Sequence, residues 1–183
     1  MGTNAILTAA HNLLPPFING HYNTDRVRAD SVSFHHMLTT ASFAKKKPAS
    51  ATVLTHCFIH PEWEKNFNPK YDVALLFLSE SLNLSQEQID KLLKLKIFNE
   101  EKVISVVGNP NGSKDVNESK GDVYTEDIDS KEMIYHLANT LPGSSGSPIV
   151  SECMHIIGTH TRGVNEKYAQ NRCKDESRVT AIY

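Results

Sequence analysis

Short apolar runs, each closed by a cluster of Gly, Asn, Pro or Ser, recur along this 183-residue chain, and that spacing constrains its fold more than any other feature. Residues 5–10, 32–34, 52–54, 73–78, 103–107, 123–125, 133–137, 149–151, 155–159 and 178–182 have the length and composition of strands. The run over 73–78 is apolar throughout and is expected to be a fully buried strand. One segment reads as a helix: Ser85-Gln86-Glu87-Gln88 has the form of a capping box, and Ile89, Leu92, Leu93 and Ile97 follow at helical spacing. Residues 15–30, the basic turn Lys45-Lys46-Lys47-Pro48 and the stretch from His60 to Pro69 carry loop chemistry. Many short strands around a single helix argue for an all-β double barrel and against βαβ units. The expected division is an N-terminal barrel half over 1–80, a linker with a short helix over 81–101, and a C-terminal barrel half over 102–183.

A chain of this length can bury a sizeable core. Its formal net charge of -2 gives no electrostatic reason to expect nucleic acid or an anionic membrane as a partner. No apolar run approaches the roughly 18 residues a membrane helix needs, and no basic-plus-apolar signal segment opens the chain. Cys57, Cys153 and Cys173 are too few and too scattered for a disulfide framework; one Cys153–Cys173 bridge and three free thiols both fit the sequence. His56, Cys57 and His60 match no zinc spacing well, and a strand would split them between faces, so no metal and no cofactor are expected. His35, His36 and His155 read as surface or loop residues.

Three fragments carry chemistry when read together: Ile6-Leu7-Thr8-Ala9-Ala10-His11, Tyr71-Asp72-Val73-Ala74-Leu75-Leu76 and Leu141-Pro142-Gly143-Ser144-Ser145-Gly146-Ser147-Pro148. A serine hydroxyl needs a base within hydrogen-bond reach, and the base needs a partner that fixes its tautomer. His11 can be that base, Asp72 the orienting carboxylate and Ser145 the nucleophile. The backbone N–H groups of Gly143 and Ser145 can converge on one oxygen, an oxyanion hole worth roughly 3–4 kcal/mol per donor. Taken singly, a Ser/Gly/Pro run is usually a loop, and a histidine or aspartate at a strand end is usually a cap or surface residue. Their coincidence, in the order His, Asp, Ser, is what points to a triad. The turn is not a G-x-S-x-G elbow, because Ser147 stands where the second glycine would be.

With these motifs the sequence resembles the chymotrypsin-like serine endopeptidases. "LTAAH" at Leu7 to His11 resembles the family's histidine motif, "YDVALL" after His60-Pro61-Glu62-Trp63 its aspartate region, and "GSSGSP" its nucleophile signature. The likeness continues through Gly108-Asn109-Pro110 to "SRVTAI" near the C-terminus, and the Ser-Gly-Ser-Pro ending is closest to the glutamyl endopeptidase branch. The resemblance implies a double β-barrel with the active site between the barrels, an acyl-enzyme on Ser145 and a protein or peptide substrate. It also implies a secreted or extracytoplasmic monomer. By the same likeness Thr140 and His160 line the primary pocket, where a hydroxyl and a protonated imidazole would receive a glutamate carboxylate with charge assistance. Asn139 stands where relatives that cleave after basic residues carry an acid. Arg162 either reinforces the acidic preference or is a solvated surface arginine, the more frequent state of the residue.

Three departures qualify the resemblance. Only Met1 to Asn4 precede the histidine strand, so the N-terminal barrel is expected to lack its first strand or strands, and Tyr183 falls where relatives continue into a closing helix. The residue before the nucleophile is Ser144 in place of an aspartate, which removes the activation switch in which a freed amino terminus pairs with that acid. The interval from His11 to Asp72 is long for the family, with the excess in the loops around 15–30 and 40–50. Two alternatives stand beside the glutamyl endopeptidase: a catalytically silent homologue that binds peptides, and a protease reading glutamine through the same Thr140 and His160.

Overall fold

The computed structural model describes residues 4–26, 54–79, 81, 85–92, 102–110, 115–124, 133–162 and 179–182. The expected strand at 32–34, the basic turn at 45–48, His35 and His36, the later part of the linker helix pattern and Cys173 lie outside these residues.

The first half is built on β1 (Ala5–Thr8), β4 (Leu54–Ile59) and β5 (Ala74–Leu78), an antiparallel sheet in the order β1-β5-β4 among the described residues. β5 is not buried on both faces as its apolar run suggests: Ala74, Leu76 and Leu78 face the core, while Leu75 and Phe77 are half-buried. The alternation follows from the strand's period of two in a sheet covered on one side. Ala10, Leu13, Leu14, Ile59, Trp63, Phe67, Ala74 and Leu76 form the core of this half.

Two elements arise where the sequence suggests only loop. Phe17–Ile18 (β2) and His21–Tyr22 (β3) pair as a small hairpin, turned by Asn19 at φ 50° and Gly20 at φ 82°. Asn-Gly is the pair that tolerates positive φ at both central positions of such a turn. Pro61–Asn66 forms helix α1, with Pro61 in the first turn and Phe67 closing it in the left-handed region at φ 51°. Its N-cap is His60, whose Nδ1 accepts from the Glu62 N–H at 3.2 Å. Histidine stands outside the usual Ser, Thr, Asp and Asn caps, which hides the helix start from sequence. The linker helix α2 spans Gln86–Leu92, as its capping pattern predicts.

The second half closes into a barrel of antiparallel strands in the order β10-β11-β8-β7-β6-β9. These are β6 (Val103–Gly108), β7 (Asn117–Tyr124), β8 (Met133–His136), β9 (Pro148–Ser151), β10 (Ile156–Arg162) and β11 (Val179–Ile182). Ile104, Val106, Ala138, Ile149 and Ile157 fill its interior, with Val123 packed against them. β7 starts earlier than its apolar end suggests, because polar Asn-Glu-Ser-Lys pairs along β6 from Asn117↔Gly108 to Ser119↔Val106 and onward to Asp122↔Val103. There the ladder, and not the side chains, makes the strand. Among the described residues no helix is long and apolar enough to cross a membrane.

Candidate active site

The register of the first sheet brings His11 and Asp72 together. β1 runs antiparallel to β5 with Thr8 opposite Ala74, so the chain leaving β1 and the chain entering β5 share one end of the sheet. His11 sits there in a 3-10 turn over Ala10–Asn12, and Asp72 caps a second 3-10 turn over Pro69–Tyr71. Trp63 of α1 donates its indole N–H to the Leu14 carbonyl at 3.0 Å, and the His60 ring stacks on Tyr71 at 4.4 Å. These contacts tie the segment before Asp72 to the segment after His11.

The Asp72 carboxylate is 3% exposed and accepts twice from His11: from the ring Nδ1–H at 2.7 Å and from the backbone N–H at 2.8 Å. A buried carboxylate is costly unless charge-assisted hydrogen bonds hold it, and here both come from one residue. An ionised carboxylate can only accept, so this bond calls for the imidazole proton on Nδ1, and in the neutral ring that leaves the lone pair on Nε2. That is the tautomer a general base requires.

Ser145 lies across a cavity of about 480 Å³ that is also lined by His11, Pro16, Trp63, Asp72, Thr140, His160 and Arg162. Its hydroxyl donates to the Thr161 carbonyl at 3.2 Å, and no bond joins it to the His11 ring among the described residues. Rotation about its χ1 redirects the hydroxyl. The turn around it is tightly organised. Ser144 N–H donates to Leu141 O at 3.0 Å, and the buried Ser144 hydroxyl accepts from Leu141 N–H at 3.3 Å. Ser144 is thus satisfied within its own turn. Gly143 adopts φ 92°, a region open to glycine without strain. Among the described residues the Gly143 and Ser145 N–H groups meet no protein acceptor.

Pairing of β9 with β10 sets His160 beside this turn, with Thr159 opposite Pro148. Gly146 N–H donates to His160 O at 2.7 Å and His160 N–H to Ser147 O at 2.8 Å. Thr140 and His160 both line the cavity, and Arg162 stands at its rim with no acidic partner among the described residues. Sequence reading did not single out His136, which is fully buried at the end of β8 with Nε2 3.3 Å from His160 Nδ1. A histidine ending an otherwise apolar strand was the available signal. His56 and Cys57 lie exposed on β4 while His60 caps α1.

Burial pushes the His160 imidazole down to about 4, with the neighbouring His11 adding a smaller effect in the same direction. The protonated His160 expected from sequence is therefore corrected: the free protein holds it neutral at pH 7, because a charge 2% exposed would lose its hydration. The unfolded chain binds that proton near the ordinary value of 6.5, so between 6.5 and about 4 the unfolded state carries more protons. This stability is fully present above 6.5 and is lost as pH falls towards 4. Urea unfolding at pH 7 and pH 5 should show the wild type losing about 2 kcal/mol more than His160→Gln over that interval. Equal losses would remove the burial argument.

A family model described as the trypsin-like peptidase domain matches residues 1–158. The chain belongs to that family, and it is a serine endopeptidase of chymotrypsin-like double-barrel fold. Among solved structures, a Glu endopeptidase in complex with MPD matches with a TM-score of 0.71 at 16% identity, over 100% of this chain and 76% of the other. A thermostable serine protease, AL20, from an extremophilic microorganism matches with a TM-score of 0.68 at 14% identity, over 100% of this chain and 80% of the other. Kallikrein-related peptidase 10 in complex with Zn2+ gives a TM-score of 0.60 at 15% identity, over 99% of this chain and 80% of the other. No curated protein matches the sequence.

Proposed function

We propose that the chain hydrolyses peptide bonds through His11, Asp72 and Ser145 and accepts glutamate in its primary pocket. The observation that carries the reading is the buried Asp72 carboxylate holding both N–H groups of His11 in the cavity that Ser145 also lines. His11 Nε2 takes the proton from the Ser145 hydroxyl as its oxygen attacks the scissile carbonyl carbon. The developing oxyanion is received by the Gly143 and Ser145 N–H groups. His11 then returns the proton to the leaving amine, and a water activated by the same nitrogen frees the acyl group from Ser145.

Specificity rests on Thr140, His160 and the cation of Arg162 at the rim, and the likeness to a Glu endopeptidase fold supports the choice of an acidic side chain. When the His136 Nε2–H donates to His160 Nδ1, the remaining proton of His160 lies on Nε2, free to donate into the pocket. A neutral donor reads a glutamine amide oxygen as well as a carboxylate, and this favours glutamine as a second accepted residue. The two differ in their proton balance. A bound carboxylate draws a proton onto His160, whereas an amide does not, so the ratio of kcat/KM for Glu over Gln peptides should rise as pH falls from 8 to 6. A ratio flat across that range would sink the His160 assignment. His160→Ala is expected to lower kcat/KM for a Glu peptide by about 10–100-fold, the worth of a charge-assisted hydrogen bond, with a smaller effect on an Ala peptide. A peptide panel varied at the residue before the scissile bond tests both.

A further inference from the structure

We infer that Asn12 is a positioning residue that locks the main chain of Ser145 to the turn carrying His11. The inference rests on Ser145 as nucleophile and His11 as base, and concerns what holds the two in register.

Asn12 is the residue after His11 and ends the same 3-10 turn. Its side-chain Nδ2 donates to Ser145 O at 3.2 Å and to Thr8 Oγ1 at 3.2 Å. An amide carries two N–H groups, and both are engaged: one returns to the end of β1, the other crosses to the nucleophile turn. A carbonyl oxygen can only accept, so the group that meets Ser145 must be a donor.

The same peptide unit is held from its other side. Gly146 N–H, across the peptide bond from the Ser145 carbonyl, donates to His160 O at 2.7 Å. Carbonyl and N–H point in opposite directions from a planar unit, so two bonds at its ends fix its rotation. One comes from the C-terminal barrel and one from Asn12. Gly146, at φ 86°, seats the loop directly on the base-bearing segment: a Cβ there would fall 2.3 Å from Thr8 Oγ1, 3.0 Å from Asn12 Nδ2 and 3.4 Å from Ala9 N. The nucleophile turn thus lies against Thr8, Ala9 and Asn12, on both sides of the base in sequence.

The bond has a catalytic consequence that its stability does not reveal. Asn12 is exposed, so losing the bond strands no polar group in the core. Releasing one end of the Ser145–Gly146 peptide frees the direction of the Ser145 Cα–Cβ bond and of its N–H. A misplacement of about 1 Å at a reacting atom costs about 100-fold in rate.

The test is Asn12→Leu, which keeps the branched shape and removes the donor, with Asn12→Ser as a second variant too short to reach. Both are expected to lower kcat by about 10–100-fold, with KM within about twofold of wild type. A peptide boronic acid, which mimics the tetrahedral state, should lose affinity by the same factor, while a product peptide binds unchanged. The thermal midpoint should stay close to wild type. Asn12→Gln, which keeps the amide on a longer stem, should recover part of the lost kcat. Unchanged kcat in both Asn12→Leu and Asn12→Ser would overturn the inference, as would a fall in kcat that follows the thermal midpoint and is not relieved by Asn12→Gln. Ser145→Ala is measured alongside: hydrolysis there within tenfold of wild type removes the nucleophile assignment, whereas a Ser145→Ala reduced by orders of magnitude beside a fully active Asn12→Leu removes only the positioning role.

Discussion

Ser145→Ala is expected to lower kcat by about five to six orders of magnitude while leaving KM close to wild type. The alanine keeps the turn, because its organisation comes from groups the substitution does not touch: the Ser144 bonds to Leu141, Gly146 N–H on His160 O and Asn12 on Ser145 O. The hydroxyl itself contributes one partly buried bond to the Thr161 carbonyl. Its removal should move the unfolding midpoint little, since a single such bond is worth about 1 kcal/mol net. Covalent labelling by a fluorophosphonate should disappear with the hydroxyl. The Gly143 and Ser145 N–H groups remain, so slow hydrolysis above the rate in water should persist. Hydrolysis within tenfold of wild type would refute Ser145 as nucleophile.

Asp72→Asn should lower kcat by about 10⁴-fold at pH 7, and here the geometry adds a structural penalty to the catalytic one. The carboxylate accepts from two N–H groups of His11, one per oxygen. An asparagine offers one oxygen and one NH2. If its oxygen serves the His11 backbone, the NH2 faces Nδ1, which must become an acceptor and move its proton to Nε2, and the base is then in the wrong tautomer. If the oxygen serves Nδ1–H, the backbone N–H faces another donor. A buried donor left unmet costs about 1–3 kcal/mol, so urea unfolding should also show a loss of that order. Asp72→Ala is expected to match it in kcat, because both variants lack the group that orients the imidazole. A kcat within tenfold of wild type in Asp72→Asn would mean that His11 is oriented by something else.

The residues of the site were more legible than the interactions between them. His11, Asp72 and Ser145 each stand in a short motif with local chemistry, and Gly143 and Gly146 show the turn that positive φ demands. The strands of the C-terminal barrel could be read wherever apolar residues lie on them. β7 could be read only at its end, because Asn117-Glu118-Ser119-Lys120 has no strand propensity of its own and pairs because β6 lies beside it. α1 was hidden by its histidine cap, and the β2–β3 hairpin by strands of two residues. The end of an apolar strand marked His136, but what His136, Asn12 and the carbonyl of Thr161 do was beyond reach for a different reason: their roles are defined by partners distant in the chain.

The protonation state of His160 belongs with them. The resemblance to the glutamyl endopeptidases implied a pocket residue carrying a charge. Burial among β-strands withholds that charge, and burial cannot be read from the residue itself.

The amino acids alone specify the groups on offer: a serine on a glycine-bearing turn, a histidine after an apolar strand, an aspartate before another, and the patterning of an all-β chain. Their distances, their hydrogen-bond partners and the burial that sets the charge of His160 come from folding. His11 and Asp72 are 61 positions apart, and Asn12 and Ser145 are 133. Local propensity acts over a few neighbouring residues, so contacts across such intervals exist only once β1 has paired with β5 and the nucleophile turn has settled against Thr8 and Asn12.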